Sequence, residues 1–331
     1  MKSYLKEVRW GIIGCGDVTE VKSGPALQQA ENSQIAAVMR RNGELAKDYA
    51  MRHQIKKWYD DADALINDPE VNAIYIATPP NVHNEYTIKA AKAGKPVYVE
   101  KPMARTATEC LEMIEICKKG DVSLFVAYYR RTLPRFRKIK EIIESGVLGE
   151  LRFVQTTHFQ KADNEVQTPK EQPWRVNPEI AGGGLFLDLA SHTLDILDYL
   201  LGPIKEVKGI ASNQNGAYDA EDIVTGTYLF ESGIHGMGTW CFAAFDHMDK
   251  NEIIGSKGKL TFSTFGDSSI TLSTAKGQKQ WTIKNPRHIQ KYLIQEIVDE
   301  LIGKGGSSST GETAARTNWV MDQLIADYYQ K

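Results

Sequence analysis

Over the first third of the chain, short apolar runs alternate with longer stretches of helical periodicity, the pattern of βαβ units building a parallel sheet. Val8–Ile13, Ile35–Met39, Ala73–Thr78, Pro96–Glu100 and Val122–Ala127 read as strands. Most carry apolar residues at successive rather than alternate positions, as strands covered on both faces do. Helices are expected near Pro25–Ala30, Glu44–His53, Asp61–Ile66, Glu85–Ala93 and Ala107–Lys119. The last opens on Thr106-Ala107-Thr108-Glu109, a capping box.

Arg135–Ser145 reads as a connecting helix, with Pro134 where a first turn tolerates it. Beyond Gly149 the texture changes. Leu151–Gln160, Val207–Asn213, Val224–Phe230, His235–Phe242, Lys259–Ser263 and Ile270–Ser273 predict a mainly antiparallel sheet with short turns. A helix at Leu185–Leu201 follows the irregular stretch Lys161–Gly184. Two more helices, Ile289–Ile302 and Gly311–Tyr329, flank a Gly- and Ser-rich break at Gly303–Ser309, which reads as a flexible linker. The expected fold class is therefore α/β: a domain of βαβ units on a parallel sheet over residues 1–127 and a second α/β domain on a mainly antiparallel sheet over 128–309. A length of 331 residues, beyond the usual reach of one core, agrees with two domains.

Charge narrows the class of partner. The formal net charge is −2, which gives no electrostatic reason to expect nucleic acid or an anionic membrane. No apolar run approaches the ~20 residues of a membrane span, and Met1–Glu7 has no apolar leader, so a cytoplasmic location is expected. Cys15, Cys110, Cys117 and Cys241 show neither CxxC spacing nor a disulfide framework and read as reduced thiols.

The chemistry starts at Gly14-Cys15-Gly16-Asp17-Val18-Thr19, at the first βα junction. Gly14 permits a tight turn, and Gly16 lets the backbone approach a pyrophosphate. Thr19 stands where GxGxxG has its third glycine. The second strand ends Met39-Arg40-Arg41-Asn42, with arginines where an NAD-preferring site places an acid for the ribose 2′-hydroxyl. Arginines suit a 2′-phosphate, so NADP(H) is the expected cofactor, with NAD(H) as the alternative.

Four further stretches carry a family resemblance: Ala77-Thr78-Pro79-Pro80-Asn81-Val82-His83, Glu100-Lys101-Pro102, Gly182-Gly183-Gly184 before Asp188 and His192, and Thr310-Gly311-Glu312. With the glycine turn, in this order, the sequence resembles the glucose–fructose oxidoreductase and inositol dehydrogenase family (Gfo/Idh/MocA). That resemblance implies Lys101, Asp188 and His192 as the catalytic group. It implies cofactor contacts from Gly14, Gly16, Asp17, Val18, Thr19, Thr78, Pro79, Asn81, His83, Glu100 and Lys101, beside Arg40 and Arg41. Tyr128, Arg130, Trp174 and Arg175 would join Asp188 and His192 around substrate. It also implies a Rossmann dinucleotide-binding domain over 1–127, an open-sheet α/β domain over 128–309 on which a homodimer or homotetramer is built, and a last helix, within residues 310–331, returning to the first domain.

Residue chemistry agrees with these roles. Asp188 and His192 are four apart on one helix and share a face. His192 is the natural proton donor or acceptor, Lys101 would polarise the reacting oxygen, and Asp188 would either orient the imidazole or accept from a substrate hydroxyl. No HxH or HxxxH spacing occurs, so no metal is expected. The expected activity is hydride transfer between nicotinamide cofactor and a sugar, inositol, keto-sugar or related diol. The rivals are a glycosidase using tightly held NAD as an internal redox cofactor and a non-catalytic NADP-binding sensor.

Overall fold

The computed structural model describes residues 4–162 and 173–329; residues 163–172 of the irregular stretch Lys161–Gly184 lie outside the described residues. Among the described residues the chain forms two compact units, one comprising the chain to Thr132 with Pro286–Ala315, the other Leu133–Asn285 with the chain from Arg316.

In the first unit the order is β1 (Val8–Ile13), α1 (Asp17–Val21), α2 (Gly24–Gln29), β2 (Ser33–Met39), α3 (Gly43–Arg52), β3 (Lys57–Tyr59), α4 (Ala62–Ile66), β4 (Ala73–Ile76), α5 (His83–Lys92), β5 (Val97–Val99), α6 (Ala107–Lys119) and β6 (Leu124–Val126). The strands form a parallel sheet in the order β3-β2-β1-β4-β5-β6. Every residue of β4, β5 and β6 is buried, which accounts for their unbroken apolar sequence. The order reverses between β1 and β4, and the crevice outside the carboxyl ends of such strands is where open α/β sheets bind ligands.

At α6 only half of the expected capping box forms. Thr106 Oγ1 accepts from Glu109 N at 3.2 Å, whereas the Glu109 carboxylate turns to Arg105, accepting from its backbone N–H and its guanidinium. The second unit contains α7 (Pro134–Glu144), β7 (Leu151–Lys161), α8 (Pro178–Ala181), α9 (Leu185–Leu201), β8 (Ile204–Ser212), β9 (Ile223–Phe230), β10 (His235–Ala244), β11 (Met248–Gly255), β12 (Gly258–Phe262), β13 (Ser269–Thr274) and β14 (Gly277–Thr282). Its sheet runs β14-β13-β12-β11-β7-β10-β9-β8, antiparallel except between β7 and β10.

Helices of the same unit cover one face of that sheet. Phe186 on α9 meets Trp240 edge-on at 5.2 Å, and Phe136 on α7 meets Phe262 at 6.2 Å. Phe230, Trp240 and Phe242 thus point into the unit's own core and offer nothing to a partner. The opposite face carries Phe153, Ile210, Met237 and Met248, all exposed.

The last helix does not return as a whole: from Arg316 it clusters with the second unit, and the returning segment is Pro286–Ala315. It carries α10 (Lys291–Leu301), whose Leu293, Ile294, Ile297 and Val298 are buried, and the first turn of α11 (Gly311–Tyr329). The expected linker between these helices is tied down instead. Ser308 Oγ donates to Glu296 at 2.8 Å, and buried Ser309 donates to the Val126 carbonyl at 2.8 Å. The serines there serve as hydrogen-bonding groups, a role composition does not distinguish from flexibility.

Candidate active site

In the first unit, Gly14 takes φ of +93°, a conformation open to glycine, and a Cβ there would lie 2.8 Å from Thr78 Cγ2 and 2.9 Å from the Ala77 carbonyl. The turn after β1 therefore lies directly against the segment after β4. Around Gly16 a Cβ would meet nothing closer than 4.0 Å, so the backbone is open to an approaching group. Thr19 donates from Oγ1 to Gly16 O at 2.7 Å and accepts from Tyr49 at 3.0 Å. The close packing a third glycine normally allows falls at Gly24, whose added Cβ would stand 2.2 Å from Thr19 O.

Thr78 Oγ1 is buried and has no hydrogen-bond partner among the described residues. A buried hydroxyl left unpaired is costly, and a polar ligand in the crevice would satisfy it. With the open Gly16 backbone beside it, this fits a dinucleotide. Gly14, Gly16, Asp17 and Val18 would hold its pyrophosphate, and Thr78, Pro79 and Asn81 would border it from β4. Arg40 and Arg41 are exposed just past β2. Arg40 is near enough for its charge to act on Cys15 inside the glycine turn, although burial dominates there and pushes that thiol up to about 11. Cys15 therefore stays a protonated, inert thiol at neutral pH.

Two residues expected at the cofactor are engaged elsewhere in the unit. His83 is wholly buried, with Nε2 2.8 Å from Thr78 O and Nδ1 3.2 Å from the carbonyls of both Pro102 and Met103. Burial holds its pKa below the usual histidine value, so it acts as a neutral pin between two loops. Glu100 is buried as well, and its Oε1 accepts from Tyr75 and from Gln290, both at 2.7 Å. Tyr98 completes this network by donating to Gln290 at 2.7 Å. Glu100 Oε2 also accepts from Lys101 N at 3.3 Å, so this carboxylate fixes the backbone from which Lys101 extends. Sequence reasoning missed Gln290, since nothing local links it to a strand 190 residues away.

Tyr128 and Arg130 are buried in the first unit, where the Arg130 guanidinium stacks 5.1 Å above the Tyr129 ring. Trp174, Arg175, Asp188 and His192 belong to the second unit. Arg175 stacks 4.4 Å over Trp174, and its Nε lies 3.3 Å from Asp188 Oδ2. Asp188 thus has a cationic partner that neither expected role included. His192, one turn further along α9 and 4% exposed, meets Phe265 edge-on at 5.7 Å. Phe265 also contacts His158 at 5.0 Å. Its loop is held by Asp249, whose carboxylate accepts the backbone N–H groups of Thr264, Phe265 and Gly266 at 2.6–2.9 Å. Neither Phe265 nor Asp249 belongs to a recognisable motif.

The last of the three glycines before α9 has a packing cause. Gly184 donates its N–H to both oxygens of Glu221, at 2.9 and 3.0 Å, and a Cβ on Gly184 would come within 2.5 Å of the Glu221 carbonyl.

A parallel sheet with a glycine turn at its switch point, joined to a second unit bearing an Asp–His helix, defines a dinucleotide-binding oxidoreductase. Residues 8–128 match the model of the oxidoreductase family with NAD-binding Rossmann fold, and residues 136–261 match the GFO/IDH/MocA C-terminal domain. Oxidoreductase P35 of Formosa agariphila is 38% identical over 315 residues, spanning 95% of this chain and 97% of that protein. Myo-inositol 2-dehydrogenase of Thermotoga maritima is 28% identical over 280 residues, 82% of this chain and 80% of its own. Among solved structures, levoglucosan dehydrogenase in complex with NADH and levoglucosan superposes with a TM-score of 0.86 at 23% identity, covering 98% of each chain. The chain belongs to the GFO/IDH/MocA oxidoreductase family. Among the described residues, no helix is long and apolar enough to cross a membrane.

Proposed function

We propose that this protein transfers a hydride between a nicotinamide cofactor, NADP(H) by preference, and a sugar, inositol, keto-sugar or related diol. The bound cofactor supplies the redox chemistry. His192 exchanges the hydroxyl proton, Lys101 polarises the reacting oxygen, and Asp188 with Arg175 orients substrate hydroxyls. The observation that carries this reading is the Trp174–Arg175–Asp188 cluster, one helical turn from His192: an aromatic face beside fixed charged groups. Such groups penalise any ligand that leaves them unpaired, which favours a substrate with many hydroxyls. The relatives named for myo-inositol and levoglucosan point the same way. The test is a panel of levoglucosan, myo-inositol and a keto-sugar against a dihydrodiol and a simple aromatic ketone, read by reduced-cofactor absorbance. Turnover of the aromatic compounds alone would reject the carbohydrate assignment.

The NADP(H) preference is supported by Arg40 and Arg41 past β2, where an acid would otherwise select NAD. Arg40→Ala is expected to weaken NADPH about tenfold more than NADH, since an exposed arginine gives the low end of a charge-assisted contact. Equal binding of the two cofactors by the unmodified protein, measured by calorimetry, would reject the preference.

A homodimer or homotetramer is supported by the face of the second sheet that stays exposed among the described residues, with Phe153 on β7, Met237 on β10 and Ile210 on β8. Light scattering at micromolar concentration is expected to give a multiple of the 37.0 kDa chain mass. Introducing a lysine at Met237 should shift the mass toward the monomer without lowering cofactor affinity.

A further inference from the structure

Glu221 has no place in the family motifs, yet it stands under the helix that carries Asp188 and His192. It is fully buried at the start of α9. Both its oxygens accept from Gly184 N, and Oε2 also accepts from Tyr329 Oη at 2.6 Å. Acids at a helix N-terminus are favoured by the backbone dipole, so the ionised carboxylate is the form that holds this first turn. Other charged or titratable groups surround it. Asp222 follows directly and is itself occupied by the N–H groups of Gln214 and Asn215. Tyr328, on the same helix as Tyr329, donates to the Asp219 carbonyl at 2.8 Å, and Tyr218 lies in the same loop. Asp188, in the first turn of α9, is already paired with Arg175.

We propose that Glu221 is a positioning residue for the reaction: its ionised carboxylate seats the first turn of α9 and so aligns Asp188 and His192, with Tyr329 setting how readily that ionisation occurs. The inference rests on the catalytic reading of Asp188 and His192. Protonation removes one acceptor from a site that serves two donors, so the first turn loosens and Asp188, within that turn, shifts. Burial pushes the Glu221 pKa up to about 7, while the Tyr329 hydroxyl and the Gly184 amide pull it down. Asp222, as a like charge, adds to the rise. The carboxylate therefore changes state around pH 7. Tyr329→Phe removes one stabiliser of the anion and should move the transition to higher pH.

The experiment compares kcat and KM from pH 5.5 to 9 for the unmodified protein, Glu221→Gln, Tyr329→Phe and His192→Ala, using whichever panel sugar or inositol turns over. Glutamine keeps the shape without the charge, so Glu221→Gln should lose the acid limb near pH 7 that belongs to Glu221. Any limb belonging to His192 would remain. Its kcat should fall on the order of tenfold at pH 8, because small misplacements of reacting groups are costly, with cofactor KM unchanged. Tyr329→Phe should shift that limb upward with little loss at high pH. Profiles of both variants superimposing on that of the unmodified protein, while His192→Ala is inactive, would overturn the inference and leave the catalytic reading standing. Full turnover in His192→Ala would overturn the catalytic reading itself. Should Glu221→Gln fail to fold, the Tyr329→Phe shift decides alone.

Discussion

His192→Ala is expected to lower kcat by about 10²–10⁴-fold, the usual worth of a positioned general acid or base. NADPH affinity should stay near that of the unmodified protein, because the glycine turn, Arg40 and Thr78 all belong to the first unit, and His192 to the second. The imidazole is 4% exposed and held edge-on by Phe265, whose loop is fixed by three backbone N–H groups on Asp249. Its position is thus built by packing, and alanine removes the proposed proton-exchanging group without removing that frame. Lys101→Ala should give a loss of similar order through a different cause, since in the proposed mechanism it deletes the charge that would stabilise a developing alkoxide. Lys101→Arg should recover little, because guanidinium geometry differs from that of an ammonium point charge. Single-turnover measurements separate these effects from product release. Near-native turnover in His192→Ala on a true substrate would refute its role.

The second large effect concerns stability. Glu221 is fully buried, and its pKa is pushed from an ordinary 4.5 to about 7. A carboxyl raised in the folded state contributes stability that is fully present below the unfolded value and is lost as pH rises through the folded one. The window is therefore pH 4.5 to about 7. A shift of this size corresponds to a loss on the order of 3 kcal/mol across it. Glu221→Gln carries no such charge, so its thermal midpoint should decline less between pH 5 and pH 8 than that of the unmodified protein. At pH 8 the variant should be the more stable of the two and the slower enzyme. Stability given up to keep a buried anion under the helix proposed to carry the catalytic pair would be a familiar trade at functional sites. Parallel pH dependences of the two midpoints, followed by circular dichroism, would refute the assignment.

Periodicity alone located most of both units. Val8–Ile13, Ala107–Lys119, Leu185–Leu201 and Gly311–Tyr329 appear in the structure with the bounds that the apolar pattern sets. Their signals are strong because burial is continuous along them or repeats with the helix period. The strands Lys57–Tyr59, Met248–Gly255 and Gly277–Thr282 were invisible to the same reasoning. The first is three residues long, and the other two are rich in polar residues because one face or one edge meets solvent. A strand of that kind is created by its neighbours' hydrogen bonds, not by its own composition.

The same division holds at the site. The glycine turn and the i, i+4 spacing of Asp188 and His192 are local facts, written in consecutive residues and therefore legible. Sequence alone also determined that three glycines precede α9, but not why. Only the fold brings Glu221, Gly184 and Tyr329 together across 37 and 108 residues. Only the fold turns Glu100 and His83 inward, and only it pairs Asp188 with Arg175. Local sequence fixes backbone preference and which side chains share a helical face. The partner that a buried polar group finds depends on which distant segments packing brings within hydrogen-bond range, and no local pattern encodes that choice.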